Sequence, residues 1–371
     1  MRGWDDGGNG GYQSKRSRGK GGAFQQREAN PTGPTLGPWS ELKKLADLPY
    51  KLSHRDRITG SCLVGADEIF TTGGPQCHRL RSFRVIPQPT PQGLRFRLDQ
   101  DKDIDMGTFI SAMTFESPWL VVGLGNGALK AFNQDSKAEH PALNVVHTGQ
   151  VNALVLKEVN GAACLLSAAE DGTFAIHTFR DGAFAQATQA SLATMGGASG
   201  PIKALQVLGT SLWLGAKTGV SVIDLQTLTV KGTVPVNPEL RDMVTYEEGG
   251  VPFCILALVN GGILILDSAG NPVFQRGPAG DHTSNTSISL VFHHVDQKFM
   301  LICGQDYGYC TAYDLPAFTP RGSFRVHEGS NITHLKEIRP GGQPQGLFVV
   351  GGATGDVSLW QFGHPPDDSR H

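Results

Sequence analysis

A recurring unit of about 46 residues is the feature that most constrains how this chain can fold. Each copy opens with an aliphatic residue, here called the anchor, which starts a short apolar alternation. Units of this length stack on one another, because a single unit cannot bury its own apolar faces. The anchors are Ile58, Ile110, Val151, Ile202, Leu240, Ile288 and Ile332, with separations of 52, 41, 51, 38, 48 and 44 residues.

A β-hairpin pattern follows each anchor. An apolar run leads through a Gly-containing turn to a second apolar run, as in Cys164–Ser167, Asp171–Gly172 and Thr173–His177. Asn-Gly and Asp-Gly between alternating apolar runs are a strong hairpin signal, because the tight turn needs positive φ. The 48 Gly, 22 Pro and a charged fraction of only 18% argue against long solvated helices.

These patterns predict an all-β fold, a seven-bladed β-propeller with four strands to a blade. The last copy ends after its third strand, Val357–Phe362. We therefore expect the segment Lys43–Leu52, ahead of the first anchor, to pair as the outer strand of the last blade and close the ring. Pro49 lies within that segment, which an edge strand tolerates.

The repeated units resemble WD repeats over residues 44–362. In that family a His precedes the innermost strand, an Asp occupies the Gly turn and a Trp ends the third strand. The resemblance implies a WD40 propeller that serves as an interaction scaffold. The positions that match the pattern are His54, His147, Ser167, Asp171, His282, Asp306, His327 and Trp360.

No copy keeps the whole WD pattern. The third copy has His177 where the family has Trp, and the last has Thr354 where the family has Asp. Because the hydrogen-bonding set is incomplete in every copy, we expect apolar packing and the closing strand to carry most of the stability.

A second, weaker resemblance is to proteins with CCCH zinc fingers in front of a WD propeller. The phrases Ile58–Cys62 and Val121–Lys130 carry it. No Cys precedes Cys62 in the sequence, so the sequence offers no Cys₃His site ahead of the propeller. RNA binding through such a finger is therefore not expected.

The predicted propeller, residues 39–363, lies between two segments predicted to be disordered, 1–38 and 364–371. Residues 1–38 carry six basic and three acidic side chains and are rich in Gly. This tail has three readings: an RNA-contacting arm, a nuclear-import signal, or a solubilising tail. The candidate RNA contacts are Lys15, Arg16, Arg18 and Lys20.

The six cysteines are scattered and form no C-x-x-C pair, so we expect buried, reduced thiols. No apolar run approaches the ~20 residues that span a bilayer, and the polar N-terminus does not read as a signal peptide. A soluble intracellular protein without membrane partners, nuclear or cytoplasmic, is the expectation.

Motifs of catalysis and ligand binding are absent from the sequence. It contains no phosphate loop, zinc helix or nucleophile elbow, so we assign no catalytic residue, metal ligand or cofactor. Gly123-x-Gly125-x-Gly127 is interpreted as a hairpin turn and His293-His294 as a strand end. The acidic run Asp99–Asp105 lacks calcium-loop spacing and is predicted to be an exposed loop.

The sequence therefore favours a non-enzymatic scaffold that assembles a protein complex. Its candidate partner contacts are Arg79, Arg81, Arg95, Arg97, Arg241 and Tyr246, since Arg and Tyr are enriched at interface hot spots. The alternative is an RNA-associated factor that uses the basic tail. A ubiquitin-ligase substrate receptor is disfavoured, because Trp360-Gln-Phe-Gly363 is not a Trp-Asp-x-Arg box, and an enzyme is the least expected class.

Overall fold

Seven antiparallel sheets make up the fold in the computed structural model. The described residues are 42–362 apart from 49–52, 91–92, 137, 141–142, 144–145, 160, 181–182, 186–187 and 278–283. Both predicted tails lie outside them and stay predictions, as does His282.

Each sheet is one blade of a seven-bladed β-propeller, which confirms the predicted fold. After β1 (Leu42–Asp47), blade 1 contains β2 (Ile58–Val64), β3 (Glu68–Gly73), β4 (Arg79–Thr90) and β5 (Gly93–Asp105), and blade 2 contains β6 (Ile110–Glu116), β7 (Trp119–Leu124) and β8 (Leu129–Asn133). Blade 3 contains β9 (Val151–Val159), β10 (Ala162–Ala169), β11 (Thr173–Arg180), β12 (Ala183–Phe184) and β13 (Thr188–Ser191), and blade 4 contains β14 (Ile202–Leu208), β15 (Ser211–Ala216), β16 (Gly219–Asp224) and β17 (Val230–Pro235).

In blades 5, 6 and 7 consecutive strands are again neighbours in the sheet. Blade 5 contains β18 (Leu240–Glu248), β19 (Val251–Leu258), β20 (Ile263–Asp267) and β21 (Pro272–Arg276), and blade 6 contains β22 (Asn285–His293), β23 (Lys298–Gln305), β24 (Tyr309–Asp314) and β25 (Thr319–Arg325). Blade 7 contains β26 (Ile332–Ile338), β27 (Leu347–Gly352) and β28 (Val357–Phe362), and two 3₁₀ turns occupy Asp306–Gly308 and Pro340–Gly342.

The core is divided into apolar clusters between neighbouring blades. The second strand of a blade is mostly buried because it packs against a neighbour on each face, and every residue of β27 is buried. The outer strands meet solvent, and β17 has no buried residue. The blades thus hold the connecting turns on a rigid frame.

β1 closes the ring, as predicted. It pairs antiparallel with β28, and the Leu48 backbone N–H donates to the Val357 carbonyl at 2.8 Å. Leu45 and Leu48 lie in the apolar cluster between blades 7 and 1. The predicted segment extended to Leu52, but the strand itself ends at Asp47 and residues 49–52 are outside the described range.

The anchor of blade 6 was predicted wrongly. In every other blade the anchor lies opposite the end of the second strand, as Ile58 lies opposite Gly73. In blade 6 the residue opposite Gln305 is Asn285, three positions before Ile288. The sequence pattern selected Ile288 because it is the first aliphatic residue of the strand, whereas the fold places a buried amide at the anchor position.

The acidic run Asp99–Asp105 is not a loop, which corrects a second prediction. It belongs to β5, which pairs along its length with β4 as the outer hairpin of blade 1. Arg79 lies 2.7 Å from Asp103, and Arg84 lies 3.7 Å from Asp101. Opposite charges across two strands offset the poor strand propensity of Asp, so the charge pattern is that of a cross-strand ladder.

Two short motifs are turns, as interpreted from the sequence. β7 ends at Leu124, and Gly127 has a φ of 83° in the turn that follows. A side chain at Gly127 would meet the His147 carbonyl oxygen at 2.0 Å, so only Gly fits there. His293 ends β22, and its Nδ1 accepts a hydrogen bond from the Asp296 N–H at 3.1 Å.

All six cysteines are buried and free, as expected. Burial raises the pKa of the Cys62, Cys254 and Cys303 thiols, which disfavours their reactive thiolate form. Within the described part of the chain, no helix is long and apolar enough to cross a bilayer.

Candidate interaction face

One end of the propeller gathers the starts of all the innermost strands, and we call it the anchor face. An antiparallel pair brings the start of an innermost strand beside the end of its neighbour, so the turn between the second and third strands lies at the same end. Equivalent positions of successive blades also meet: Thr333 Oγ1 donates to the Ile58 carbonyl at 2.9 Å. The anchor face therefore carries two rings of loops on a rigid frame.

A β-bulge follows each anchor and leaves one residue without a partner on the neighbouring strand. Three of these side chains donate to the anchor carbonyl of the next blade: Thr333, Thr59 at 2.7 Å to Ile110, and Asn152 at 2.8 Å to Ile202. The bulge residues are Thr59, Ser111, Asn152, Lys203, Arg241, Thr286 and Thr333. Neighbouring blades are thus joined by hydrogen bonds as well as by apolar packing.

The WD signature residues of blade 3 form a local network around His147. Its Nε2 lies 2.8 Å from Ser167 Oγ and its Nδ1 lies 2.6 Å from Thr173 Oγ1. Asp171 accepts from the Thr148 N–H at 2.7 Å and from Thr173. Burial alone would raise the pKa of Asp171, but hydrogen bonds from Thr173 and Thr148 outweigh it and hold that pKa well below its usual range.

Blade 7 builds the same network with the hydroxyl on a different strand. His327 Nε2 lies 3.1 Å from Ser358 Oγ, which accepts from Trp360 Nε1 at 2.8 Å. Ser358 lies on β28 opposite Val350, whereas in blade 3 the hydroxyl lies on the second strand, opposite Ala175. Blade 7 thus keeps the contacts between His, a hydroxyl and Trp, although the sequence pattern does not place Ser358 in the signature.

In the turn of blade 7 the Asp and Thr of blade 3 occur in the opposite order along the chain. Blade 3 has Asp171 followed two residues later by Thr173, and blade 7 has Thr354 followed two residues later by Asp356. In both turns the Thr hydroxyl donates to the Asp carboxylate, and the nearby His Nδ1 lies 4.0 Å from that carboxylate. The Asp that the sequence pattern missed in the last copy is thus Asp356.

The Ser358→Ala variant is expected to lower the free energy of unfolding by about 1–3 kcal/mol, because it leaves the Trp360 N–H and a His327 nitrogen buried without a partner. Urea unfolding followed by tryptophan fluorescence measures this. The paired exchange Val350→Ser with Ser358→Ala, which copies blade 3, should recover part of the loss. Equal midpoints for Ser358→Ala and the unaltered chain would contradict the network.

The other two signature positions within the described range are His54 and Asp306, in blades 1 and 6. In blade 1, His54 lies 2.8 Å from Thr71 Oγ1 and 3.2 Å from Cys77 Sγ. Burial, with a smaller effect of Arg81, lowers the pKa of His54 to about 4, so the ring is neutral at pH 7. In blade 6, Asp306 accepts from the Ser284 hydroxyl.

Three of the predicted partner contacts are engaged within blade 1. Arg79 and Arg81 both bind Asp103, at 2.7 and 3.2 Å, and Arg97 lies 2.5 Å from Asp99. Because these cations are already paired, a partner would have to compete with internal carboxylates for them. The side chain of Arg95 lies outside the described residues.

The remaining two partner candidates lie in blade 5. Arg241 is the bulge residue of β18 and is exposed on the anchor face. Tyr246 is half-buried and packs against the cluster between blades 5 and 6. The structure thus brings Arg241, but not Tyr246, to the anchor face.

Tyr307 is an exposed aromatic residue on the anchor face that the sequence reasoning missed. It is 66% exposed in the turn of blade 6, has a φ of 57°, and its N–H donates to Asn331 Oδ1 at 2.8 Å. The sequence signal that could have found it is an extra residue in the turn. Tyr307 separates Asp306 from Gly308, whereas Asp171 and Gly172 are adjacent in blade 3. Arg55 and Arg57 are exposed in the loop before β2 of blade 1, so blade 7 lies between them and Tyr307.

Two titratable side chains of the innermost strands are taken up by contacts between blades. His334 Nε2 lies 2.8 Å from Ser61 Oγ, and burial followed by the charge of Lys336 lowers the pKa of His334 to about 3. Asp242 accepts from the Ile288 N–H at 2.9 Å, and burial raises the pKa of this carboxyl. Both groups connect blades.

Comparison with known proteins agrees with this geometry. Residues 98–250 match the family model of the WD40 repeated domain. The chain is 27% identical over 281 residues to zinc finger CCCH domain-containing protein 17 of Oryza sativa subsp. japonica, covering 70% of this chain and 55% of that protein. The chain thus spans about half the length of that curated relative.

A solved structure supports the architecture alone. The crystal structure of the computationally designed Ika8 protein superimposes with a TM-score of 0.56 at 14% identity, covering 86% of this chain and 100% of that one. The seven blades thus show a β-propeller fold, and residues 98–250 of it are similar to the WD40 repeated domain.

Proposed function

We propose that this WD40-type propeller is a non-enzymatic scaffold that assembles a protein complex, and that partners dock on its anchor face. WD40 propellers are typical protein-interaction scaffolds and are generally not enzymes, which supports both parts of the proposal. The six buried free thiols favour a reducing compartment, nuclear or cytoplasmic.

The observation that carries the proposal is Tyr307. A large aromatic side chain that is 66% exposed buries little apolar surface on folding, yet a hydrogen bond to Asn331 fixes its backbone. Interfaces are anchored by rigid Tyr and Arg side chains, since little conformational entropy is lost when they bind. Arg55 and Arg57 supply exposed guanidinium groups on the same face.

Replacing Tyr307, Arg55 and Arg57 together by Ala is expected to reduce partner recovery at least about tenfold in quantitative affinity purification, an effect typical of losing hot-spot residues. The matched control replaces Val251 and Val295 by Ala. These valines are 51% and 57% exposed and lie at the opposite end of the propeller. Equal recovery with both variants would reject the anchor face as the docking surface.

The alternative function is RNA association through residues 1–38, with Lys15, Arg16, Arg18 and Lys20 as contacts. These residues lie outside the described range, and their support is the net positive charge of the segment. The same purification with a chain lacking residues 1–38 separates the two functions. Partners sensitive to ribonuclease and lost on that deletion would favour the RNA function.

A further inference from the structure

One cysteine, Cys77, differs from the other five in its place in the fold. It lies on the anchor face, in the turn between β3 and β4, and is buried between the exposed residues Gln76 and His78. The other five lie within strands, and burial raises the pKa of their thiols, which disfavours the reactive thiolate: Cys62, Cys164, Cys254, Cys303 and Cys310.

Cys77 belongs to a chain of three hydrogen-bonding side chains. Its Sγ lies 3.2 Å from His54 Nδ1, and His54 Nε2 lies 2.8 Å from Thr71 Oγ1. The pKa of His54 is lowered to about 4, chiefly by burial, so at pH 7 the ring donates through one nitrogen and accepts through the other. When Nε2–H donates to Thr71, Nδ1 accepts from the thiol. A thiol, a base within hydrogen-bond reach and a third group that orients the base form the arrangement that activates cysteine nucleophiles.

The turn that contains Cys77 also holds the loop of residues 53–57, here called the entry loop. This loop carries both arginines that we propose as docking residues. Adjacent residues of the turn bind it: Cys77 contacts His54, and the Gln76 N–H donates to Asp56 Oδ2 at 2.7 Å. A movement of the turn against the entry loop would therefore break both contacts.

The contact between Cys77 and His54 is closely packed. A side chain at Gly73 would meet Cys77 Cβ at 2.7 Å, His54 Cβ at 2.9 Å and Cys77 Sγ at 3.0 Å. An oxygen atom bonded to the sulfur therefore has to displace a neighbour. Gly73 is the last residue of β3, whereas His54 lies on the entry loop, so the loop is the part that moves. Ser53 in this loop is buried, and its hydroxyl has no partner among the described residues, so opening the loop lets it bind water.

We infer that Cys77 is an oxidation site that controls the entry loop: a peroxide converts its thiol to a sulfenic acid, the hydrogen bond to His54 is lost and the loop is released. The thiol proton passes to His54 Nδ1, the sulfur attacks one peroxide oxygen, the O–O bond breaks, and the departing hydroxide takes up the proton as water. The sulfur loses two electrons, which the peroxide gains. Release displaces Arg55 and Arg57, so oxidation weakens docking on the anchor face; this consequence rests on the proposed scaffold function.

Hydrogen peroxide, added to the purified full-length chain together with dimedone, which traps sulfenic acids, tests the chemistry. Peptide mass spectrometry is expected to show Cys77 labelled at least about tenfold faster than any cysteine within a strand. His54→Gln removes the base and should slow the labelling of Cys77, with thermal unfolding to show that the fold is kept. Faster labelling of a strand cysteine, or an unchanged rate in His54→Gln, would overturn the assignment.

Limited digestion with trypsin tests the release of the loop, since cleavage requires local opening. After oxidation, cleavage after Arg55 and Arg57 is expected to rise at least about tenfold. Cleavage after the exposed Arg180 at the end of β11 should stay unchanged. Cys77→Ser is the matched control, because its hydroxyl can still donate to His54, and it should be cut at the slow rate with or without peroxide. Oxidation of Cys77 without faster cleavage after Arg55 and Arg57, or an equal response of Cys77→Ser, would refute the release of the loop.

The scaffold function is tested separately, because the Tyr307, Arg55 and Arg57 variant is compared with its control in the reduced protein, without peroxide. Equal recovery there would reject the docking surface and leave the oxidation of Cys77 standing. Failure of the labelling or of the digestion would reject the oxidation site and leave the docking surface standing.

Discussion

Leu48→Asp is expected to destabilise the whole propeller by about 4 kcal/mol or more, because it removes a buried Leu and puts a carboxylate in an apolar cluster. Leu48 is 7% exposed, packs in the cluster shared by blades 7 and 1, and is tied to Val357 through its backbone. Since the ring is closed at this strand, its loss should lower the urea midpoint of a single cooperative unfolding transition.

The control lies in the adjacent position of the same segment. Asp47 is exposed, and Asp47→Asn removes only its surface ion pair with Lys44, so a change within about 0.5 kcal/mol is expected. A chain that begins after Leu48 should be less stable and should self-associate more than one that begins at Leu42, since the edge of β28 is then unpaired. Unchanged stability of Leu48→Asp would refute closure by β1. The corresponding prediction for Leu52 lies outside the described residues.

Lowering the pH from 7 to about 4 is expected to destabilise the propeller through its buried histidines. The pKa of His54 falls from its ordinary 6.5 to about 4, and that of His334 to about 3. Below pH 6.5 the unfolded chain binds protons that the folded chain does not, so stability falls with pH until each folded pKa is reached. The loss is up to about 3 kcal/mol for each of the two groups at pH 4.

Other titratable groups modify this slope without reversing it. The pKa values of His147 and His327 are lowered by burial and contribute with the same sign. The pKa values of Asp242 and Glu337 are raised by burial and contribute with the opposite sign, since their folded forms take up protons first. Burial lowers the pKa of His177 as well, so five histidines act against these two carboxylates in this range.

Urea unfolding at a series of pH values from 7.5 to about 4 measures the slope. The double variant His54→Gln with His334→Gln is expected to be less stable at pH 7 but to lose less stability on acidification. The slope, not the stability at one pH, is the readout, because either substitution also disturbs a hydrogen bond to Thr71 or Ser61. Parallel curves for the variant and the unaltered chain would contradict the assignment.

The seven blades and their closure could be predicted from the sequence, because both depend on local patterns. A Gly turn between two apolar runs specifies a hairpin wherever it occurs, and a missing fourth strand at the C-terminal copy leaves β1 as the strand to fill it. The two main errors arose because the sequence pattern took every anchor to be aliphatic and every acidic run to be a loop. Asn285 is a polar anchor, and the acidic run after Leu98 is a strand because basic side chains face it.

The hydrogen-bond networks of the WD signature and the exposed side chains of the anchor face could be identified only from the tertiary structure. Ser358 and Asp356 take the roles of Ser167 and Asp171 from other positions, which a fixed sequence pattern cannot find but a shared position in space reveals. The anchor face could be expected only as a general property of the fold; the exposure of Tyr307 and the internal pairing of Arg79 and Arg81 required the coordinates.

The sequence by itself determined the number of repeats, the hairpins and the strand that closes the ring, because each follows from residues close together in the chain or from an unpaired strand edge. Only the tertiary structure decided which side chains remain free to bind a partner. That depends on contacts between distant segments, as the pairing of Arg79 and Arg81 with Asp103 shows.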